Sequence, residues 1–267
     1  MRTRININCD MGESFGRWTL GNDEAILPLV PTANIATGFH GGDPHVMRRT
    51  VALAKRVGAD IGAHVALPDL LGFGRRRLEV TPDDLKDYVI YQIGALAAFT
   101  HAAGAELVHV KPHGMLYTMA GQSPELCYAL FTAVREFDPN LIVILGGPEV
   151  QKVAAEVGIR AVAEAYVDLD YKPDGFPVVE RVKQAWDPAE VARRALRVVR
   201  EQRGTAIDGT DLELDMVTIC IHGDAPNSVE IARTVRQQLA EADIEVVGLR
   251  DVVPAAALPR SGWPQSQ

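Results

Sequence analysis

The chain reads as an α/β protein, a single-domain (β/α) barrel or a barrel-like variant of one. Eight β-type runs, near residues 3–9, 33–37, 60–64, 105–110, 141–145, 159–164, 215–221 and 243–247, alternate with helical patterns along almost the whole length. Polar side chains recur where the runs end: Asn8 and Asp10, His40, His64, Lys111 with His113, Asp168 with Asp170, and His222 with Asp224. Parallel strands open all their C-terminal ends on one side, so this recurrence predicts one catalytic face. No low-complexity linker splits the chain. An open doubly wound sheet is the alternative architecture.

The elements follow from local signals. The first run holds Asn6 and Asn8, which need buried partners. Asp43–Val57 has helical apolar spacing at Val46, Met47, Val51, Leu53, Ala54 and Val57, with Asp43 as cap, Pro44 in the first turn and Gly58 at the exit. Thr81–Ala103 opens with Thr-Pro-Asp-Asp and stops at Gly104. Ser123–Phe137 opens with Ser-Pro-Glu, and Asp187–Arg200 with Asp-Pro-Ala-Glu. Ala225–Ala240 follows Asp224 and carries Pro226. Pro68–Val80 and Asp170–Gln184 are irregular, rich in Gly, Pro and charge, and are expected to be long loops over the active face. The catalytic domain is expected to span 1–253, with 254–267 a loosely held tail.

With 267 residues, 47% apolar and 23% charged, the chain has ample material for a core. A net charge of −8 argues against nucleic acid, which needs a basic face. Cys9, Cys127 and Cys220 are odd in number and far apart, so no disulfide framework is expected. No apolar run is long enough for a membrane helix, and no signal peptide is seen, so a cytoplasmic location is expected.

Five segments carry the candidate chemistry. In Asn8-Cys9-Asp10-Met11-Gly12-Glu13, Asp10 or Glu13 can bind a cation, accept a proton or position an amide; as a plain strand-exit turn, Asp10 would only bond backbone. Glycines flank His40, letting backbone approach a ligand, whereas Asp43 suits a helix cap and His45 a surface position. His64 ends a strand, and Gly72-Phe73-Gly74-Arg75 can wrap an anion with Arg75 as a two-pronged contact. Lys111 and His113 share a strand parity: Lys111 is a clamp for developing negative charge, or else half of a structural ion pair, and His113 is a proton donor or acceptor. His222 and the strand-exit Asp168 are candidate binding residues, while Asp224 can be a cap only. Cys220 lies inside a strand and does not read as a nucleophile, and no G-x-S-x-G elbow is present. Several histidines and Asp10 on one face is the composition of a catalytic divalent site, but no H-E-x-x-H or His-x-His pair occurs, so no metal ligand is assigned.

These same strings resemble the LamB/YcsF family, the 5-oxoprolinase A subunits: Asn8 to Gly16, Ala33 to Ala36 with Gly38-Phe39-His40, Gly42-Asp43-Pro44, Ile61 to His64, Pro68-Asp69 with Gly72 to Arg76, His109 to Gly114, and His222-Gly223-Asp224. The likeness spans nearly the full length and is tightest over 5–120. It implies a barrel-like fold related to sugar-deacetylase barrels and ATP-dependent opening of 5-oxo-L-proline to L-glutamate. It also implies ATP with accompanying Mg2+ and two partner subunits, B and C. Asp10, Glu13, His40, His64, Lys111, His113 and His222 match the family's motif positions. On that scheme ATP phosphorylates the lactam oxygen, Lys111 with His113 stabilises the charge, Asp10 or His40 activates water, and Arg75 holds a phosphate or carboxylate. No nucleotide loop is present, which leaves ATP to the partner subunits.

The chain departs from the family pattern with Thr37 in place of Cys, Val65-Ala66 in place of Pro-Ser, and Gln184-Ala185-Trp186 where a Gly-Ala segment is usual. Leu169 stands where an arginine is typical. These changes keep three alternatives open: another lactam or amide as substrate, a metal-dependent deacetylase or amidohydrolase, and a non-catalytic subunit that binds a small acid.

Overall fold

Side-chain parity along the first strand sets the architecture. In β1 (Arg4–Met11) Ile5, Ile7, Cys9 and Met11 belong to the apolar core, while Asn6, Asn8 and Asp10 are buried among polar partners on the opposite face. A strand buried on both faces needs helices outside and a filled interior within, which is the geometry of a barrel. The computed structural model describes residues 2–178, 183–214 and 216–253.

In chain order, β1 is followed by α1 (Asp23–Ile26), β2 (Thr32–Ala36), α2 (Pro44–Val57), β3 (Asp60–Val65), α3 (Pro82–Ala103) and β4 (Leu107–Pro112). Next come α4 (Gly114–Gln122), α5 (Pro124–Phe137), β5 (Ile142–Ile144), α6 (Val150–Val157), β6 (Arg160–Val162) and β7 (Glu164–Tyr166). The chain continues through α7 (Pro188–Glu201), β8 (Arg203–Thr205), β9 (Asp211–Glu213), β10 (Thr218–His222), α8 (Ser228–Glu241), β11 (Glu245–Val247) and α9 (Leu249–Val252). Strands pair in the order β6-β5-β4-β3-β2-β1-β10-β7, all in parallel. The two ends of that path, β6 and β7, are separated only by Ala163. One extended stretch thus pairs with β5 through its first half and with β10 through its second, and the eight strands make a nearly closed barrel.

The helix signals work because capping is local. Asp43, Thr81, Ser123 and Asp187 each accept a backbone N–H of the helix they precede, and Pro follows each of them. Gly58 and Gly104 close their helices in the left-handed region, at φ 74° and 62°. The helices bury Met47, Val51, Leu85, Ile93, Leu96, Leu130, Phe131 and Val235 against the outer face of the barrel.

Several details differ from the sequence reading. The run at 159–164 is two strands with different partners, because the barrel closes within it. The run at 243–247 is not part of the barrel path: β11 pairs only with Arg4–Asn6, since β10 already occupies the rest of that edge of β1. The last long helix begins at Ser228 rather than Ala225, and Asp224 is not its cap, for the N-cap position is Asn227. The antiparallel pair β8–β9 and the helix α4 starting straight after His113 had no distinct sequence signal. The proposed tail, 254–267, lies outside the described residues, as do residues 179–182 of the second loop and the predicted start at 215.

The interior is closely fitted. Gly62 on β3 sits beneath the His109 ring of β4, where an added Cβ would lie 2.1 Å from Nε2. His109 cannot retreat freely, because that nitrogen donates to Asn34 Oδ1 at 2.7 Å. We expect Gly62→Ala to lower stability by about 1–3 kcal/mol, measured as a shifted urea midpoint.

Candidate active site

A continuous hydrogen-bonded ladder fills the barrel. Asn6 Nδ2 donates to Thr32 Oγ1 and to the Val247 carbonyl, both at 2.8 Å. Thr218 donates to Asn6 Oδ1 at 2.7 Å and accepts from Asn8 Nδ2 at 2.8 Å. Asn34 Nδ2 donates to Asn8 Oδ1 and Asp10 Oδ1, again at 2.8 Å. These residues share the inward parity of strands in register: Asn6 opposite Thr218, Asp10 opposite Asn34, Asn34 opposite Gly62, and Gly62 opposite His109. Buried amides are tolerated only when so paired.

The ladder ends at Lys111. Its ammonium reaches Asp10 Oδ1 at 2.9 Å, Glu164 Oε2 at 3.0 Å, Asn8 Oδ1 at 3.2 Å and Cys220 Sγ at 3.2 Å. Above it opens a cavity of about 60 Å³ lined by Asp10, His64, Arg75, His113, Tyr166 and His222, with Tyr117, Leu169 and Lys183 on its walls. Arg75 pairs with Asp224 at 3.0 Å and lies over the Phe73 ring. His222 is held from behind: its backbone N–H and Nδ1 contact the two Asp168 oxygens at 2.8 and 2.9 Å.

Two further side chains, Glu13 and His40, gather with His64 and His113 beside the cavity. His40 and His113 stack with ring centroids 3.7 Å apart and planes 7° from parallel. His40 Nε2 contacts Glu13 Oε1 at 3.1 Å, and His64 Nε2 lies 3.0 Å from His113 Nδ1. The loop after β3 closes over this group, where the Phe73 carbonyl accepts from His113 Nε2 at 2.8 Å. Among the described residues, two sets bring metal-binding atoms within 4.8 Å of one another: Glu13, His40, His64 and His113; and Asp10, Cys220 and His222.

Burial and charge set the protonation states. Burial opposes the charged form of Lys111, but the Asp10 and Glu164 carboxylates outweigh it and hold the ammonium well above its ordinary range. Burial also works to raise the Asp10 carboxyl, yet the neighbouring His64 and the Lys111 ammonium bring it well below the usual carboxylate range. Glu13 goes the other way, pushed up by burial and then by Asp10 and Asp224. Burial first, then neighbouring imidazoles, keeps His40 and His113 neutral. Cys220 is raised by burial, so it is a thiol and not a nucleophile.

Of the nine candidates from sequence, Asp10, His64, Arg75, Lys111, His113 and His222 line the cavity. Glu13, His40 and Asp168 stand one layer behind: Glu13 under His40, His40 against His113, and Asp168 behind His222. Asp43 is a helix cap, and its other oxygen accepts the Gly16 N–H. Glu164, Tyr117, Tyr166 and Lys183 were not foreseen. Glu164 had a faint signal, an acid at the end of a β-type run, whereas nothing local marks the two tyrosines or Lys183.

A LamB/YcsF family model matches residues 5–254. The chain is 44% identical to the 5-oxoprolinase A subunit of Pyrococcus abyssi over 254 residues, 94% of this chain and 99% of that protein. It also matches the crystal structure of a lactam utilization protein from Thermus thermophilus at TM-score 0.85 and 42% identity, covering 92% of this chain and 100% of that one. The catalytic domain of a peptidoglycan N-acetylglucosamine deacetylase from Eubacterium rectale superposes at TM-score 0.50 and 10% identity, covering 98% and 95%, a likeness of fold alone.

Burial would raise the Asp168 carboxyl, but His222, its hydrogen bonds and Lys183 more than offset this and hold it at about 2. A depressed folded-state pKa adds stability above the unfolded value near 4, and that stability is lost as pH falls toward 2. Asp168→Asn should therefore cost about 2 kcal/mol at pH 7 and flatten the acid-unfolding profile between pH 4 and 2, followed by circular dichroism.

Proposed function

The chain belongs to the LamB/YcsF family, and we propose that it is the lactam-opening subunit of a 5-oxoprolinase, converting 5-oxo-L-proline to L-glutamate within an ATP-dependent cytoplasmic complex. The full-length likeness to 5-oxoprolinase A subunits and to a lactam utilization protein supports this reading. The observation that carries it is the Lys111 ammonium at the floor of a small, mostly buried cavity, pinned by Asp10 and Glu164.

A lactam carbonyl is a poor electrophile because amide resonance delocalises it. Lys111 places a fixed positive charge beside the lactam carbonyl oxygen as that atom gains negative charge, and fixed charges in a water-poor site are worth most at that moment. Asp10 is the base. Its Oδ1 is held by Lys111 and Asn34, and its Oδ2, with His64 Nε2 3.3 Å away, takes a proton from water. The hydroxyl adds to the lactam carbonyl carbon, the C–N bond breaks, and the nitrogen takes the proton that Asp10 accepted, which gives the glutamate amine and restores the Asp10 carboxylate. Arg75 and Lys183 provide positive charge for the substrate carboxylate. His40 does not line the cavity, so it positions His113 and Glu13 instead of acting as base.

The chain has no P-loop to cradle a nucleoside triphosphate. We therefore place ATP and Mg2+ on the partner subunits B and C.

Glutamate release from 5-oxoproline, assayed with ATP and both partner subunits, tests the proposal. Lys111→Ala should lower kcat by about 100-fold or more, and Arg75→Ala should raise KM more than it lowers kcat. A folded Lys111→Ala protein that keeps the full rate would remove Lys111 from the chemistry.

A further inference from the structure

The histidines at the rim present lone pairs to one another. His64 Nδ1 lies 2.9 Å from the Lys111 carbonyl and donates to it, so the Nε2 of a neutral ring carries no hydrogen. His113 Nε2 donates to the Phe73 carbonyl, which leaves its Nδ1 bare in the same way. These two bare nitrogens face each other at 3.0 Å. Asp10 Oδ2 stands 3.3 Å from His64 Nε2, and Glu13 Oε1 stands 3.6 Å from His113 Nδ1. The two ring nitrogens thus meet with no hydrogen between them, beside a carboxylate oxygen on each side, an arrangement that repels unless a cation joins it.

We propose that Glu13, His64 and His113 bind one divalent transition-metal ion, with His40 as the residue that positions Glu13. The donor spacings suit this. Bonds of roughly 2.0–2.1 Å in a tetrahedral site set neighbouring ligand atoms about 3.3 Å apart, and the observed 3.0 and 3.6 Å straddle that value. Charge points the same way. The buried ammonium of Lys111 reaches Asp10 and Glu164 but not Glu13, so a cation beside Glu13 is what would hold its buried carboxyl ionised.

The chemistry of the ligands selects the ion. Two imidazoles and a carboxylate favour zinc, cobalt, nickel or manganese over magnesium or calcium. Both ring N–H groups are already anchored on backbone carbonyls, the outer-shell support that fixes a ligating histidine's tautomer. His40 gives Glu13 the same support at 3.1 Å. His64 and His113 also line the cavity, so the side of the ion away from the protein ligands faces the space where a small ligand would enter.

The site belongs to the chain alone, so its failure and that of the lactam reading are separable. The full chain, purified without chelator, should carry one transition-metal ion per molecule by elemental analysis. Chelator-stripped protein titrated with cobalt(II) should gain visible d–d absorption and a higher Tm. His113→Gln and Glu13→Gln, shown folded by circular dichroism, should lose the cobalt spectrum. His40→Gln should weaken cobalt binding by about 10–100-fold, and His45→Ala on the exposed start of α2 should leave it unchanged. A wild-type chain that takes up no stoichiometric ion would overturn the proposal in favour of a proton shared between His64 and His113. Cobalt binding that survives in His113→Gln or disappears in His45→Ala would overturn it as adventitious surface binding.

Discussion

A buried ammonium with no anion beside it is not tolerated, and the barrel is arranged around that constraint. Lys111 is held by carboxylates from β1 and β7, so strands that are far apart in the chain converge on one charge. The strand that carries Glu164 is also the one that closes the barrel against β10. Closure and charge pairing are therefore a single event. Removing one partner of such a pair costs about 3–5 kcal/mol, yet replacing the whole set by apolar side chains is often neutral. Stability alone does not explain an ionised core here, but a requirement for a fixed positive charge at the cavity floor does.

The same ladder explains why the site is rigid from below. Asn6, Asn8, Asn34, Thr32 and Thr218 bond one another and His109 joins them through Nε2, so Asp10 and Lys111 have little freedom to reorient. From above, the loop after β3 performs a related task by close approach of backbone. A Cβ on Gly74 would lie 2.7 Å from the His113 ring, and one on Gly114 would lie 2.7 Å from the Gly74 carbonyl. Asp69 ties the same loop down by accepting the Gly72 and Arg76 N–H groups. Glycine is needed where chain presses directly on the imidazoles.

What the sequence made legible was local. Helix starts such as Ser-Pro-Glu before α5 need only the next few residues, and strand exits carry their polar side chains with them. Asp10, His64, Lys111 and His113 could be chosen because each follows its own β-type run. The closure at Ala163 was not legible, since 159–166 reads as one run and only its neighbours reveal two partners. Lys183 was hidden for a similar reason: an isolated lysine in a loop is usually solvated, and only folding turns it toward the cavity. The histidine cluster escaped motif reading because its members leave β1, β2, β3 and β4 separately. Spacing motifs such as H-E-x-x-H exist where one helix carries two ligands, which is not the case here.

Leu169 shows how much one side chain can change on a shared scaffold. Where the family resemblance leads one to expect an arginine, this cavity has an apolar wall, and its positive charge comes from Arg75 and Lys183. Arg75 is already engaged by Asp224, while Lys183 lies near Asp168, which is itself committed to His222. A small acid entering the cavity therefore meets cations on two sides and an aliphatic surface on a third. A hydroxyl set against Leu169 would lose its water without gaining a partner, whereas an aliphatic edge there loses nothing.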